Sequence, residues 1–317
     1  MKVDPILISG GDGFIGKNIV KKLSEMGYPV IVIDNHITSF PSDSVDPLVK
    51  VIDIDISTLN IEDVPKVSGI IHLASVAAPL VYKDNPSLVI DPNTLGTRKL
   101  ISLAQRDKAR ILFASTSEVY GHISDEKIID RGIKENDNAC VTLLSERSCY
   151  SAAKRFGEEL ILNYIKQGGD AANFRLFNVY GNNMDSKHIG YGRVIPNFFN
   201  KIQNNEAITI FGSGNQVRSF LWIDDAVSAI LELMFYKGIL PDAINIGKAD
   251  AISILDLAKK ISSVLNKELM IEHSVIDCDD PLWRKPNIDL ISDLISWIPK
   301  VSLQDGLLNI MEERSYK

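Results

Sequence analysis

Cysteine is scarce in this 317-residue chain, which has three, at Cys140, Cys149 and Cys278. An odd number without CxxC spacing points to neither a disulfide framework nor a zinc site. The five histidines, His36, His72, His122, His188 and His273, are scattered as well, and no metal site is expected. Basic residues are outnumbered by acidic ones, 34 to 41, leaving a formal charge of −7. A nucleic-acid surface needs clustered Lys and Arg, so none is expected. Long apolar runs are missing too. The longest uncharged stretch, Val67 to Tyr82, is interrupted by His72, Ser75 and Pro79. It falls short of the roughly 18–20 apolar residues of a membrane span. The opening MKVDPILISGGDG runs into a structural motif without the apolar core of a signal peptide. A cytoplasmic protein with neither membrane nor nucleic-acid partner is the expectation. What is present, 45% hydrophobic and 24% charged residues, is ordinary globular composition, enough for one large α/β domain or two modest ones.

Short β-branched runs alternate with longer helical patterns through the first half. Strands are predicted at Ile6–Ser9, Val30–Asp34, Val49–Ile56, Gly69–Ala74, Ile111–Ser115 and Ala171–Leu176. Helices are predicted at Phe14–Met26, Asn93–Arg106 and Tyr150–Lys166. Near-continuous apolar strands joined by crossovers belong to a parallel sheet covered on both faces. A doubly wound Rossmann sheet is the simplest closure. Beyond Phe177 the rhythm changes: Asn178–Gly192 is rich in Asn and Gly and reads as a ligand-facing loop. Ala207–Phe211 and Ala243–Ile246 read as strands, and Ile223–Phe235 and Ser253–Asn266 as helices. The chain is expected to cross between two lobes. Residues 1–177 and 217–248 would form a dinucleotide-binding domain, and 178–216 and 249–317 a smaller α/β substrate lobe.

The first strand leads into Gly10-Gly-Asp-Gly13-Phe14-Ile15-Gly16, a GxxGxxG pattern opening a helix. Such a loop lets backbone approach a pyrophosphate, which the helix N-terminus then attracts. The second strand ends in Asp34, 18 residues past Gly16, where a carboxylate bonds the adenosine ribose. NAD is the expected cofactor, because a 2′-phosphate beside Asp34 would be repelled. The third strand ends at Asp53-Ile-Asp55-Ile56, one of whose carboxylates is expected to face the adenine.

Tyr150-Ser-Ala-Ala-Lys154 sets a phenol and an ammonium on one helix face. A buried lysine there is expected to lower the phenol's pKa and make it a base for a hydroxyl. Thr116, Ser117 and Glu118 follow the strand at Ile111–Ser115, at the edge where open α/β sheets bind ligands.

With these residues the chain resembles the extended short-chain dehydrogenase/reductases that modify nucleotide sugars. The likeness runs through GGDGFIG, Asp34, HLAS at His72–Ser75, NTLGT at Asn93–Thr97, STSEVYG at Ser115–Gly121, YSAAK and RLFNVYG at Arg175–Gly181. It implies that Tyr150 is the base and Lys154 its partner. Thr116 or Ser117 would hold the reacting hydroxyl and Asn178 the nucleotide-sugar phosphates. Further cofactor contacts would come from Asn35, Asp55 and Ile56, from Leu73, Ala74 and Ser75, and from Asn93. A homodimer through the Asn93–Arg106 and Tyr150–Lys166 helices is also implied.

Ser117-Glu118 departs from the Asp-Glu usual in glucose-type 4,6-dehydratases, while simple 4-epimerases usually lack the glutamate. The pair is similar to UDP-glucuronate decarboxylases, although GDP-mannose dehydratases share it. Three more segments lean the same way. Pro79–Pro86 resembles the decarboxylases' substrate loop, with Tyr82 at its tyrosine. Arg147 stands three residues before Tyr150, and Asp279-Asp-Pro-Leu-Trp-Arg284-Lys-Pro-Asn-Ile is close to a DDPxxRKPDI segment that brings Arg284 to the active site. Arg193 and Arg218 suit diphosphate and uridine binding. Leu143–Glu146 and YSAAK depart from the decarboxylase pattern. Transient oxidation at C4 followed by decarboxylation of a UDP-glucuronate-type sugar is the leading expectation. An epimerase, a dehydratase and a non-catalytic NAD-sensing regulator are the alternatives.

Overall fold

The computed structural model describes residues 3–41, 46–137, 148–182, 184, 193–275 and 281–315. Arg147, Asp279, Asp280, Leu143–Glu146 and most of the 182–192 loop lie outside the described residues. Seven parallel strands form the main sheet: β1 (Ile6–Ser9), β2 (Val30–Asp34), β3 (Val49–Asp53), β4 (Gly69–His72), β5 (Arg110–Thr116), β6 (Ala171–Leu176) and β7 (Ala243–Ile246). Their spatial order is β7-β6-β5-β4-β1-β2-β3. Every pairing is parallel. This is the predicted doubly wound sheet, with its switch point between β1 and β4.

Alternation along each strand sends side chains to two separate cores. Ile6, Ile8, Val30 and Val32 pack with Ile19 and Leu23 of helix α1 (Phe14–Glu25) on one face. Leu7, Ile31, Ile33 and Ile70 pack on the other with Leu100 and Leu103 of helix α2 (Thr97–Asp107). Ile161 of helix α3 (Ser148–Lys166) joins that second core. Each such side chain contributes roughly 1.5–3 kcal/mol by leaving water. β1, β2 and β4 are buried at every residue, whereas β3, at the sheet edge, is half exposed.

The structure trims several predicted elements. β3 stops at Asp53 rather than Ile56, because its partner β2 ends at Asp34, the residue opposite Asp53. The single helix expected over Asn93–Arg106 begins instead as a π turn, Pro92–Gly96, before α2. Pro92 has no N–H to donate and crowds the preceding turn, so the backbone widens there.

Beyond β6 the chain leaves the sheet and builds a second layer. Helix α4 (Val194–Gln203) packs against helix α6 (Ile254–Leu265), and helix α5 (Ile223–Phe235) lies between them in sequence and covers the first core. The two-residue strand Val217–Arg218 pairs with Ile252–Ser253 on one side and in parallel with Trp283–Arg284 on the other. That register sets Arg218 beside Arg284. The chain returns at β7 beside β6, so both of its connections to the second layer sit on one edge of the sheet.

A buried polar network fastens α3 to this second layer. Arg175 of β6 forks onto the Glu158 carboxylate of α3 at 2.7 and 2.8 Å and donates to the Tyr120 hydroxyl at 2.9 Å. Tyr120 donates in turn to Asn245 Oδ1 of β7 at 2.7 Å, and Asn245 Nδ2 donates to the Ile133 carbonyl at 2.8 Å. Ile133 N–H reaches the Lys285 carbonyl at 2.9 Å, next to Arg284.

Candidate active site

A cleft of about 1270 Å³ opens along the carboxyl ends of the strands. Its walls come from the segments that follow β1, β4, β5 and β6, and from the second layer. One end is the glycine loop. Gly10 has φ +72°, and a Cβ there would lie 2.8 Å from the Ala74 nitrogen. A Cβ on Gly16 would collide with the Gly10 carbonyl oxygen, so α1 can start this close to β1 only with glycine. Gly13 caps α1 without a side-chain hydrogen bond, leaving the first N–H groups of the helix turned to the cleft. Gly10, Gly13, Phe14, Ile15 and Gly16 line the wall with Leu73 and Ser75. Ser115, also in the wall, has a buried hydroxyl with no partner. The bare helix end, the glycine cradle and the orphaned hydroxyl fit a dinucleotide.

The remaining expected cofactor residues stand behind this wall. Asp34 is buried and accepts from Asp12 N–H at 3.0 Å, His36 N–H at 2.9 Å and Ser39 Oγ at 2.9 Å. Three of its four acceptor positions are thereby used, and one position on Oδ2 is left for a ribose hydroxyl. Asn35 donates to Asp55, and Asp55 accepts from Ser57, so Asp55 closes a turn rather than facing the cleft. Asp53 meets His36 Nδ1 at 3.3 Å and is not in the wall either. Ile56 sits in the core, Ala74 backs Gly10, and Asn93 donates to Ser75 Oγ at 2.9 Å.

At the other end Thr116, Ser117, Glu118, Tyr150 and Lys154 share the wall with Asn178, Arg193, Arg218 and Arg284. Thr116 Oγ1 caps the 3₁₀ turn Ser117–Tyr120 by accepting from Glu118 N–H at 3.3 Å. The Glu118 charge is close enough to act on the Tyr150 phenol. Arg284 is buried, and its Nη1 lies 3.4 Å from Ser117 Oγ, a donor reaching across 167 residues of sequence. Asn178 takes φ +34° and donates to the Ser219 carbonyl at 2.9 Å. The Arg193 guanidinium lies 5.9 Å from the Phe14 ring centroid and donates to the Met184 carbonyl. Tyr82 is placed differently from the expectation. It is fully buried behind Tyr150, its ring stacked parallel at 5.7 Å, and is not part of the wall.

The electrostatics also correct one expectation. Burial pushes the Tyr150 phenol up, and the Glu118 charge adds to this, while hydrogen bonding to Thr116 opposes it. The groups that lower it are Thr116 and Arg193, and Lys154 is engaged elsewhere. Its Nζ donates to the Ala114 carbonyl at 2.7 Å and sits 5.0 Å over the Phe113 ring. Burial brings this ammonium down to about 7 although the Glu158 charge works the other way. His72 lies beneath it, pushed down to about 3 by burial and by the Lys154 charge. Its Nδ1 sits 2.6 Å from Ser9 Oγ and its Nε2 3.1 Å from the Pro92 carbonyl, a pairing one neutral tautomer satisfies. His72 is structural.

Sequence reasoning missed Lys17, Phe40, His122 and Gln216, which also line the cleft. None carries a motif. Gln216 alone left a trace, lying two residues before Arg218 in the GSGNQVRSF segment.

A family model described as "NAD dependent epimerase/dehydratase family" matches residues 6–247. The chain is 39% identical over 315 residues to UDP-glucuronic acid decarboxylase 5 of Arabidopsis thaliana, covering 97% of this chain and 88% of that one. Among solved structures it is similar to a UDP-N-acetylglucosamine 4-epimerase from Methanobrevibacter ruminantium M1, with TM-score 0.88, 24% identity, and 100% and 99% of the two chains covered. It is also similar to a UDP-glucuronic acid 4-epimerase mutant from Bacillus cereus in complex with UDP-4-deoxy-4-fluoro-glucuronic acid and NAD. There the TM-score is 0.85 and the identity 25%, over 98% and 99% of the chains.

Proposed function

The chain belongs to the NAD dependent epimerase/dehydratase family, and on that premise we propose that it decarboxylates a UDP-glucuronate-type sugar through transient oxidation at C4. The observation that carries the reading is Arg284, a buried guanidinium brought to Ser117 in the wall that holds Tyr150. Similarity to a UDP-glucuronic acid decarboxylase over nearly the whole chain supports it.

Bound NAD supplies the acceptor, and later the donor, of the C4 hydride. Gly10, Gly13 and Gly16, with the N-terminus of α1, hold its diphosphate, and Asp34 Oδ2 takes a ribose hydroxyl. Tyr150 takes the proton of the 4-hydroxyl while Thr116 holds the same oxygen. Tyr82 braces the phenol from behind. With a ketone at C4, the carboxylate on C5 is β to a carbonyl. The C5–C6 bond then breaks, CO2 leaves, and the electron pair becomes an enolate across C4 and C5. Arg284 grips the carboxylate with its planar fork before cleavage, and Ser117 fixes the guanidinium. Glu118 is placed to orient the solvent proton that is delivered to C5, and Tyr150 returns its proton to the C4 oxygen. Arg193, Arg218 and Asn178 hold the nucleotide diphosphate.

In this reading residues 1–177 and 217–248 serve the dinucleotide, except for Arg218, which pairs with the second layer and faces the sugar nucleotide, and 178–216 and 249–317 serve the sugar. We place the protein in the cytoplasm as a homodimer through α2, α3 and the preceding π turn, where Leu95 and Phe156 stand exposed.

Product masses from a panel of UDP-, dTDP- and GDP-sugars test the reaction. Loss of CO2 from UDP-glucuronate is the expected result, and loss of water from another sugar would overturn it. The likeness to a UDP-glucuronic acid 4-epimerase gives the second reading, which unchanged mass with inverted C4 would select.

A further inference from the structure

The glycine loop holds a carboxylate where it is least welcome. Asp12 stands between Gly10 and Gly16 and is 3% exposed, in the loop that takes a doubly charged diphosphate. A carboxylate buried this deeply needs a cation or a set of donors. The structure gives it His36, whose Nε2 lies 2.8 Å from Asp12 Oδ2. The other ring nitrogen faces a second carboxylate, Asp53 Oδ1, at 3.3 Å. Neutral imidazole has one N–H and can donate to only one of the two. Donation to both requires imidazolium.

Three carboxylates face the ring, each from a different segment: Asp12 from the glycine loop, Asp34 from the end of β2 and Asp53 from the end of β3. Asp34 adds backbone ties, accepting from the N–H groups of both Asp12 and His36. His36 itself is held at φ +54°, an arrangement that has to be maintained against local strain. Burial alone would discharge the ring, but the Asp12 hydrogen bond and the charges of Asp34, Asp12 and Asp53 together raise its pKa above the usual histidine value.

We propose that His36 is a positioning residue for the cofactor: as imidazolium it pins Asp12 and neutralises it, so that the diphosphate meets a loop with no net charge. This rests on the dinucleotide reading of the loop. When the ring loses its proton, Asp12 is uncompensated and repels the anion. Dinucleotide affinity therefore falls as pH rises through the His36 titration, and binding of the anion takes up a proton there.

ADP-ribose is the probe, because it spans the adenosine and diphosphate, lacks the nicotinamide ring, and has no phosphate group that titrates in this range. Calorimetry on the whole protein from about pH 6 to about pH 9 should show affinity falling by about tenfold, the change expected if binding moves the His36 titration by about one pH unit. Heats measured in buffers of unlike ionisation enthalpy should show proton uptake. His36→Asn suits the positive φ and should bind weakly and independently of pH. Asp12→Asn, which keeps an acceptor for the ring, should bind at high pH as tightly as wild type does at low pH. A structural role would weaken both variants alike. A flat wild-type profile, a slope that survives in His36→Asn, or high-pH weakening in Asp12→Asn would overturn the proposal while leaving the cofactor reading intact. No binding by any of the proteins at any pH would overturn both.

Discussion

The dinucleotide end of the cleft is made mostly of backbone, the sugar end mostly of side chains. At the first, the glycine cradle and the bare end of α1 lie within one short loop. At the second, Thr116, Glu118, Tyr150 and Arg284 arrive from three separate segments and meet only because β5, α3 and the second layer converge. A backbone site is damaged by adding atoms, a side-chain site by removing them. The first should fail in affinity and the second in rate.

The largest expected effect tests the second half of that contrast. Tyr150→Phe should reduce turnover by about 10²–10⁴-fold, the usual range for a lost general base, while nucleotide-sugar affinity by calorimetry changes little. Activity within a small factor of wild type would make α3 a structural element only. Next comes Arg284→Ala. It should still transfer hydride on mixing with UDP-glucuronate, seen as NADH absorbance, yet release CO2 about 10²–10³-fold more slowly. Equal slowing of both signals would mean that Arg284 binds the sugar rather than assisting cleavage.

Gly16→Ala tests the other half. Its Cβ meets the Gly10 carbonyl oxygen, and overpacking of about 1–3 kcal/mol should weaken NAD by tenfold or more while sparing nucleotide-sugar affinity. Asp34→Asn removes a charge without adding bulk. The preference for NAD over NADP should narrow by about tenfold, as expected when one repulsive charge is deleted, and calorimetry with both dinucleotides measures it.

The smallest effect concerns His72, beneath the junction of the two ends. Its folded pKa is depressed to about 3, so between there and the unfolded value near 6.5 the unfolded chain binds more protons. Stability should fall as pH drops through that window, by about 1 kcal/mol between about pH 6.5 and about pH 5.5. In His72→Gln, which keeps a hydrogen-bonding group, that part of the slope should vanish. If denaturant midpoints retain the full slope, the acid sensitivity lies elsewhere.

The same division explains what could be read from the chain beforehand. Ile6–Ser9 and Val30–Asp34 are legible as strands because every residue is buried and all but the last are β-branched or apolar. The glycine loop is legible because its parts are consecutive. Tyr150 and Lys154 share a helix face and were found together, but the direction of the phenol's shift was not. That depends on burial and on Glu118, which comes from another element. The helices Pro79–Asp84, Ser87–Asp91 and Glu126–Arg131 are too short to show a period. The Asp12–His36–Asp53 cluster spans three segments with no shared spacing, so only folding reveals it. Tyr82 was matched by position, yet its ring went behind the wall, into a pocket with Val76, Val89 and Ala153.

The Arg175–Glu158 pair has a further consequence. Through Tyr120, Asn245 and Ile133 it links α3, which bears Tyr150, to the strand that bears Arg284. Breaking such a buried pair strands a charge at about 3–5 kcal/mol, a large share of what holds an ordinary domain together. Tyr150 and Arg284 therefore cannot drift apart gradually on warming. Their alignment is a cooperative property of the whole fold, and the melting curves for activity and for secondary structure should coincide.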